Sequence, residues 1–327
     1  MTFTVRLDAA DAGRVRFATS PLWETVNAAR TLVDPRSAAY HARWLERARP
    51  RAAELPLEPL FAVHPPRGYV PDFMSPPPES TSPHIASQLT LVRETPPEQV
   101  AQELTRCAAD QSDLTRRAIV TELAASPETA RNELADLLQL AWDELVAPGW
   151  PRIERMLRRD IDHRAQLLAR DGLAAVISDL HPRVTWQDGA VSVDITDDIE
   201  RDLGGKGLIL MPSAFVWPVV VAIVDPPWQP SIIYPARGVG ELWAAPPAPP
   251  APLGRLLGSS RAQLLSALDQ PASTTSLAKT YDLSLGNVSA HLAVLRDAGL
   301  VTPTRVGHEV RYGRTELGEA LVTGTST

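Results

Sequence analysis

SLGNVSAHLAVLRDAGL, residues 284–300, decides how the C-terminal part of this chain is read. Ser284 suits an N-cap, because its hydroxyl oxygen accepts from the open amides of a first helical turn. Val288, Leu292 and Leu295 then recur at helical spacing and make one apolar stripe. Gly299 follows as the residue after the last turn, able to take the left-handed conformation that stops a helix, and Leu300 returns to a core. The residues left outside, Gly286, Asn287, Ser289, Ala290 and Ala293, are small or polar. Such a face near a helix N-terminus suits a groove better than it suits another apolar surface.

The flanks extend this reading. After a short turn at residues 253–257, Ser260 is placed to cap a helix over 261–268 with Leu264, Leu265 and Leu268 inward. Pro271 and the polar run 273–276 separate it from a second helical piece at 277–281. Asp282, Leu283 and Ser284 then make a tight connection into the opening stretch. Two short helices joined by three residues have the proportions of a helix-turn-helix, whose second helix enters the major groove. Beyond Gly299, residues 300–305 read as extended, Val306, Gly307 and His308 as a turn, and 309–312 as a returning strand. That hairpin is expected to be a wing, with Val310 and Tyr312 packed inward. Arg305, His308, Arg311 and Arg314 are expected to reach phosphates from it.

Over residues 253–318 this pattern resembles the winged helix-turn-helix of ArsR-type bacterial transcriptional regulators. The matching parts are Ser289-x-His291-Leu292, Leu295-Arg296-x-Ala298-Gly299-Leu300-Val301, and a wing that contains Gly307 and ends in Tyr312. The preceding part resembles the large N-terminal domain that some actinobacterial regulators carry before such a module. The resemblance implies binding of double-stranded operator DNA as a homodimer, usually as a repressor whose grip changes with an effector. Thiolate metal sensing, common in that family, is not carried over, because the tail holds no cysteine. Leu285 and Ala290 stand where relatives often have longer polar or basic side chains. Ser284, Asn287 and Ser289 are thus left as the groove-facing hydrogen bonders, with His291 and Arg296 at the flanks. With Asn287 the main bidentate candidate, sequence choice is expected to rest partly on DNA shape and on the wing.

Upstream of the tail, APPAPPAP at residues 245–252 is the sharpest boundary, since proline at that density prefers stiff extended geometry. All eight tryptophans and all five phenylalanines precede residue 246. The expected organisation is an effector-sensing or dimerisation domain (1–245), a proline-rich linker (246–252), the winged module (253–318) and a tail (319–327). With so short a segment after the wing, the first domain is expected to supply most of the dimer contact. Of the 32 Lys/Arg and 39 Asp/Glu, residues 253–327 hold seven and six, so the tail stands at +1 and the remainder at −8. That distribution permits DNA without demanding it.

The first 245 residues read as α+β, helical first and sheet-rich later. Residues 3–7 alternate as a strand, 8–13 as a turn, and 14–17 and 21–32 as helical. A helix over 37–48 is ended by Pro50, and 55–83, rich in proline, reads as a loop or extended cover over the surface. Helices are expected over 97–109, 127–145 and 150–168, the last stopped near Asp171-Gly172. A hairpin over 181–195 turns at Asp188-Gly189, and β-branched runs follow at 207–211, 214–224 and 231–234.

No apolar run is long enough to span a bilayer and no signal peptide stands out, which together with a single cysteine, Cys107, places the protein in the cytosol without membrane association. Asp160, Asp162 and His163 read as a solvated charged face rather than a metal site, because their spacing does not share one helical face. Gly204, Gly205, Lys206 and Gly207 read as a turn, and His41, His64, His84 and His181 show no ligand spacing. No catalytic constellation assembles, so neither catalysis, metal nor cofactor is expected. The alternatives are an enzyme in residues 1–245 with an accessory winged module, or a winged module used only for protein contacts.

Overall fold

The computed structural model describes residues 2–34, 40–65, 68–194, 199–223, 225–243, 251–268, 271–281, 283–306 and 309–323. They fall into two compact units, Met1–Trp243 and Ala244–Thr327. The whole is α+β.

In the first unit β1 (Thr2–Arg6) and the one-turn α1 (Ala9–Ala12) lead to β2 (Arg16–Phe17) and α2 (Pro21–Val33). Residues 14–17, expected as helical, end in a strand, because Arg16 and Phe17 pair in parallel with Ile209 and Leu210. The expected turn at 8–13 contains α1, stitched by reciprocal bonds between Asp8 and Asp11. Then come α3 (Ala42–Ala52), α4 (Glu58–Ala62), α5 (Ile85–Glu94), α6 (Pro97–Asp110), α7 (Leu114–Ala125) and α8 (Pro127–Ala141). Pro50 lies inside α3 rather than ending it. The stretch 55–83 is only in part a surface cover: residues 79–82 are exposed, but Leu57, Leu60, Val63, Phe73 and Met74 are completely buried, and Pro76, Pro77 and Pro78 are buried with them.

Beyond α8 a π turn (Trp142–Val146) and a 3-10 turn (Ala147–Gly149) replace the end of the helix expected to reach 145. They feed α9 (Trp150–Leu180), which breaks at Gly172 (φ 82°, ψ 178°) and then resumes as helix. The expected stop near Asp171-Gly172 is therefore a kink, one a side chain with a Cβ could adopt only with strain.

Two four-stranded sheets complete the unit. In the first, β3 (Val184–Gln187) and β4 (Ala190–Asp194) form the hairpin, with Asp188 and Gly189 both at positive φ. That is the twist-matched geometry such a dipeptide provides. β4 pairs antiparallel with β1, and β1 pairs in parallel with β5 (Ile199–Asp202), giving the order β3-β4-β1-β5. The second sheet runs β2-β6-β8-β7, with β6 (Ile209–Ser213), β7 (Val221–Ile223) and β8 (Ser231–Pro235). Every residue of β6 and β8 is buried, as expected of central strands covered on both faces. The short α10 (Val239–Leu242) follows, and Trp243 donates from Nε1 to His41 Nδ1 at 2.9 Å.

Two buried carboxyl groups tie helices to the second sheet. Glu24, in the first turn of α2, accepts from the Ala214 and Phe215 amides at 3.1–3.3 Å just beyond β6. Burial pushes its carboxyl up to about 8. Asp160, read from sequence as solvated, is instead 1% exposed. It accepts from Arg164 Nε (3.0 Å), Tyr234 Oη (2.9 Å) and the Arg237 amide (3.0 Å). Arg164, 2% exposed, reaches across the Gly172 kink to Asp179 at 2.8 Å and lies over the Tyr234 ring.

In the second unit α11 (Ala251–Leu257), α12 (Ser259–Ala267), β9 (Ala272–Ser273), α13 (Thr274–Tyr281), α14 (Leu285–Asp297), β10 (Val301–Val306), β11 (Glu309–Arg314) and α15 (Glu316–Thr323) follow. Residues 253–257, expected as a turn, belong to α11, and Ala251 and Pro252 of the expected linker open it. Proline in a first turn loses no helical hydrogen bond. Residues 246–250 of that linker lie outside the described residues. Gly258, at φ 82°, stands at the N-cap of α12 in place of the expected Ser260. Its positive φ reverses the chain between two helices, a step Ser260 could not perform from inside the first turn.

Two outcomes follow for stability. The folded Glu24 carboxyl keeps its proton to about pH 8, whereas the unfolded one loses it near 4.5. Between those values the folded state binds more protons, so stability falls as pH rises, at up to about 1.4 kcal/mol per pH unit. Melting curves at pH 5 and pH 8 should show this loss in the native chain, and Glu24→Gln should flatten it. Asp160→Ala takes one of two carboxylates from a buried guanidinium and the acceptor from Tyr234 Oη and the Arg237 amide, and should cost about 3–5 kcal/mol in denaturant titration, whereas breaking the exposed Arg93–Asp136 pair should change little.

Candidate nucleic-acid interface

The second unit is built around α14. Ser284 Oγ accepts from the Asn287 amide at 3.2 Å and caps the helix as its sequence predicts. Val288, Leu292 and Leu295 are at most 1% exposed and pack with Leu264, Leu265 and Leu277 of the preceding helices. At the other end the Leu300 amide donates to Leu295 O and the Gly299 amide to Arg296 O, with Gly299 at φ 70°. This pair of bonds is the Schellman closure, and it turns the chain straight into β10. The helix-turn-helix connection passes through Leu283, whose amide closes on Ala278 O at 3.0 Å; Asp282 lies outside the described residues.

Around a helix with 3.6 residues per turn, Gly286, Ala290 and Ala293 fall opposite the buried stripe. Gly286 and Ala290 are exposed, and a Cβ built on Gly286 meets nothing within 4 Å. Asn287 and His291 border this strip on one side, Ser289 and Arg296 on the other. Ser284, Asn287 and Ser289 are exposed and His291 is half-buried, so α14 presents a smooth centre with polar edges. Arg296 lies against its neighbour Asp297, with Nε and NH2 at 3.1 and 2.9 Å from one carboxylate oxygen. Leu285 and Val294 are 53% and 46% exposed on this same helix, which is unusual for residues a packed core could take up.

The wing is present as the antiparallel pair β10–β11, and β9 adds a third strand through Ser273 and Ala272. Sequence reading missed β9, since two residues carry no periodicity. It also began the helix before the connection at 277, whereas α13 starts at Thr274, with the Ser273 side chain accepting from the Ser276 amide. Gly307 and His308, expected at the wing's turn, lie outside the described residues.

The register divides the three wing arginines. Val301↔Arg314, Pro303↔Tyr312 and Arg305↔Val310 share one face, and Thr304↔Arg311 belongs to the other. On the first face Tyr312 packs on the core as expected, but Val310, expected inward, is 45% exposed. The reason is position: the hairpin continues past the core, so inward alternation has nothing to pack against at its outer end. Arg314, expected on phosphate, has a side chain only 9% exposed, and its Nε lies 2.8 Å from Glu319 Oε2 of α15. It fastens α15 to the sheet. Arg305 is exposed and Arg311 half-buried, and they leave the ribbon on opposite faces.

α15 is fitted tightly. Thr315 Oγ1 donates to Gly299 O at 2.7 Å and accepts from the Gly318 amide, and the Thr315 amide donates to Leu300 O. A Cβ on Gly318 would stand 2.1 Å from Leu300 O. The end of α14 and the start of α15 are therefore set by one backbone approach that only glycine permits.

With this geometry in hand, comparison with known proteins finds two matches. Residues 256–304 match a helix-turn-helix domain, and residues 82–240 match a family of unknown function (DUF5937). No curated protein and no solved structure matches the chain. The helix-turn-helix match covers α12 through α14 and enters β10, and it is the type of domain found in DNA-binding transcription regulators. Among the described residues no helix is long and apolar enough to cross a membrane, and no group of three or more His, Cys, Asp or Glu is placed to hold a metal.

Removing the cap by Ser284→Ala should cost about 1 kcal/mol. Gly318→Ala should cost about 1–3 kcal/mol, because backbone must shift to admit the methyl group. Hydrogen exchange at α14 amides reads both, with Ser284→Ala loosening the first turn and Gly318→Ala the whole unit. Unchanged protection in Gly318→Ala would show that the close approach is not needed.

Proposed function

We propose that this chain is a transcription regulator of the ArsR type, a homodimeric repressor without catalytic activity whose hold on operator DNA is set by residues 1–245. The observation that carries the reading is the pairing, in one small unit, of a capped helix with a smooth exposed face and a ribbon with an arginine on each side. A helix with Gly286 and Ala290 at its centre brings its backbone close to the floor of a major groove. Asn287, at the border of that face, has the amide geometry for bidentate contact with adenine. Ser284 still has its hydroxyl proton to give a phosphate while its oxygen caps the helix, and the first-turn amides favour an anion. Ser289, His291 and Arg296 flank the groove.

On the wing, Arg305 and Arg311 suit phosphates of two strands, because a ribbon lying in a groove meets backbone on each side. His308, expected from sequence at the wing's turn and outside the described residues, belongs to the same proposed contact. Arg314 is removed from the set and given a structural role. Phosphate contacts hold and orient the protein, and the few base contacts choose the sequence. The first unit carries the aromatic mass and most of the buried core, which suits it to dimerisation and to sensing in the cytosol.

Selection of bound fragments from genomic DNA by the full chain should enrich a symmetric site. Affinity for it should fall steeply with salt as condensed counterions are released. Arg311→Ala should weaken binding to all fragments by a similar factor and make the salt slope shallower. Asn287→Ala should instead relax the preference between operator and variants, with a change of about 1–3 kcal/mol at one base position. Salt-independent binding, or no enriched sequence, would favour a protein-contact module.

A further inference from the structure

The first unit contains a cavity of about 390 Å³, a size that accepts a small molecule. One wall is aromatic: Tyr40 and Trp217 meet edge to face with ring centroids 5.2 Å apart. Tyr40 is 46% exposed, a large ring left uncovered at the cavity. Another wall is the segment from Pro235 to Gly240, which leaves β8, turns at Gly238 (φ 87°) and enters α10. Leu180 and Val239, both buried, add apolar surface.

The polar groups of the lining are unequal in their commitments. Its carboxylate, Asp179, is committed through one oxygen. Asp179 Oδ2 takes Arg164 NH1 at 2.8 Å and lies 4.0 Å from His163 Nε2. Asp160, behind Arg164, is saturated by three donors. Arg237 is less engaged. The Arg237 guanidinium, exposed at the cavity, meets the His163 ring nitrogen at 2.8 Å, and no carboxylate among the described residues pairs with it.

We infer that this cavity binds a compact amphipathic acid: a flat apolar body against Tyr40 and Trp217, with a carboxylate taken by Arg237. Arg164 does not bind the ligand's charge; held by Asp160 and Asp179, it keeps the floor beneath the Pro235–Gly240 wall in place. That wall runs within three residues into Trp243, the last residue of the first unit. The site stands on its own geometry, while its use in controlling DNA binding rests on the regulatory reading above.

The test is calorimetry on the full chain with three matched probes: 2-naphthylacetate, 2-naphthylacetamide and 2-(2-naphthyl)ethylamine. The acid should bind one per chain, about tenfold or more tighter than the amide, the difference a charge-assisted contact supplies. The amine should bind no better than the amide. Arg237→Gln should bring acid and amide within about twofold of each other, and Tyr40→Ala should weaken both equally, since one removes charge and the other stacking surface. Both residues are exposed, and circular dichroism verifies the fold. No saturable binding of any probe, a preference for the amine, or an acid preference that survives Arg237→Gln would overturn the proposal. Binding with the expected pattern but unaltered affinity for selected DNA would keep the site and overturn its regulatory use.

Discussion

The first unit depends on one buried cation. Arg164 sits in α9 with its guanidinium out of water, a position that is unfavourable unless carboxylates meet it there. Asp160 meets it from one turn earlier and Asp179 from beyond the Gly172 kink, so the ion pair fixes the angle between the two halves of the helix. Asp160 also holds Tyr234 of β8 and the amide of Arg237. A single carboxylate thereby joins the long helix, a central strand and the turn after it. Everything that turn later forms, including the wall of the cavity and the approach to Trp243, inherits its position from this contact.

A second buried carboxyl does similar work at the same end of that sheet, on the neighbouring parallel strand. Glu24 receives the amides just past β6, where the strand has stopped pairing and its backbone donors need partners. Burial holds it protonated over the neutral range, so it serves as a neutral hydrogen-bonding group more than as a charge. The C-terminal ends of β6 and β8 are thus fastened by polar groups inside apolar surroundings, an arrangement that specifies one packing because few alternatives satisfy every donor.

The second unit uses backbone closeness instead. Gly299 closes α14, Thr315 reaches back to its last carbonyl, and Gly318 lets α15 approach Leu300 O. Arg314 reinforces that seam through Glu319. The consequence for function is a division of labour among residues of like chemistry: one wing arginine holds the fold together, and two are carried outward on opposite faces of the ribbon. Small residues along the middle of the exposed face of α14 complement this, since a face without long side chains at its middle relies on close fit and on charges placed at its edges and on the wing.

The sequence by itself determined the parts governed by local rules. Ser284, the Val288/Leu292/Leu295 stripe and Gly299 specify α14 within seventeen residues, and Asp188-Gly189 specifies its hairpin, because caps, helical periodicity and positive φ are properties of neighbours along the chain. Tertiary structure alone decided what depends on distant partners. Phe17 became a strand residue because Leu210 lies beside it, and Phe73, Met74 and Pro76, Pro77 and Pro78 entered the core although the prolines suggested a surface path. Asp160 changed from a solvated charge to a buried anchor once Arg164 and Tyr234 surrounded it. On the wing, the sequence placed the arginines, but only the pairing register and the nearness of Glu319 assigned their faces and withdrew Arg314. A side chain's environment is a sum over residues far apart in sequence, and spacing along one segment does not contain that sum.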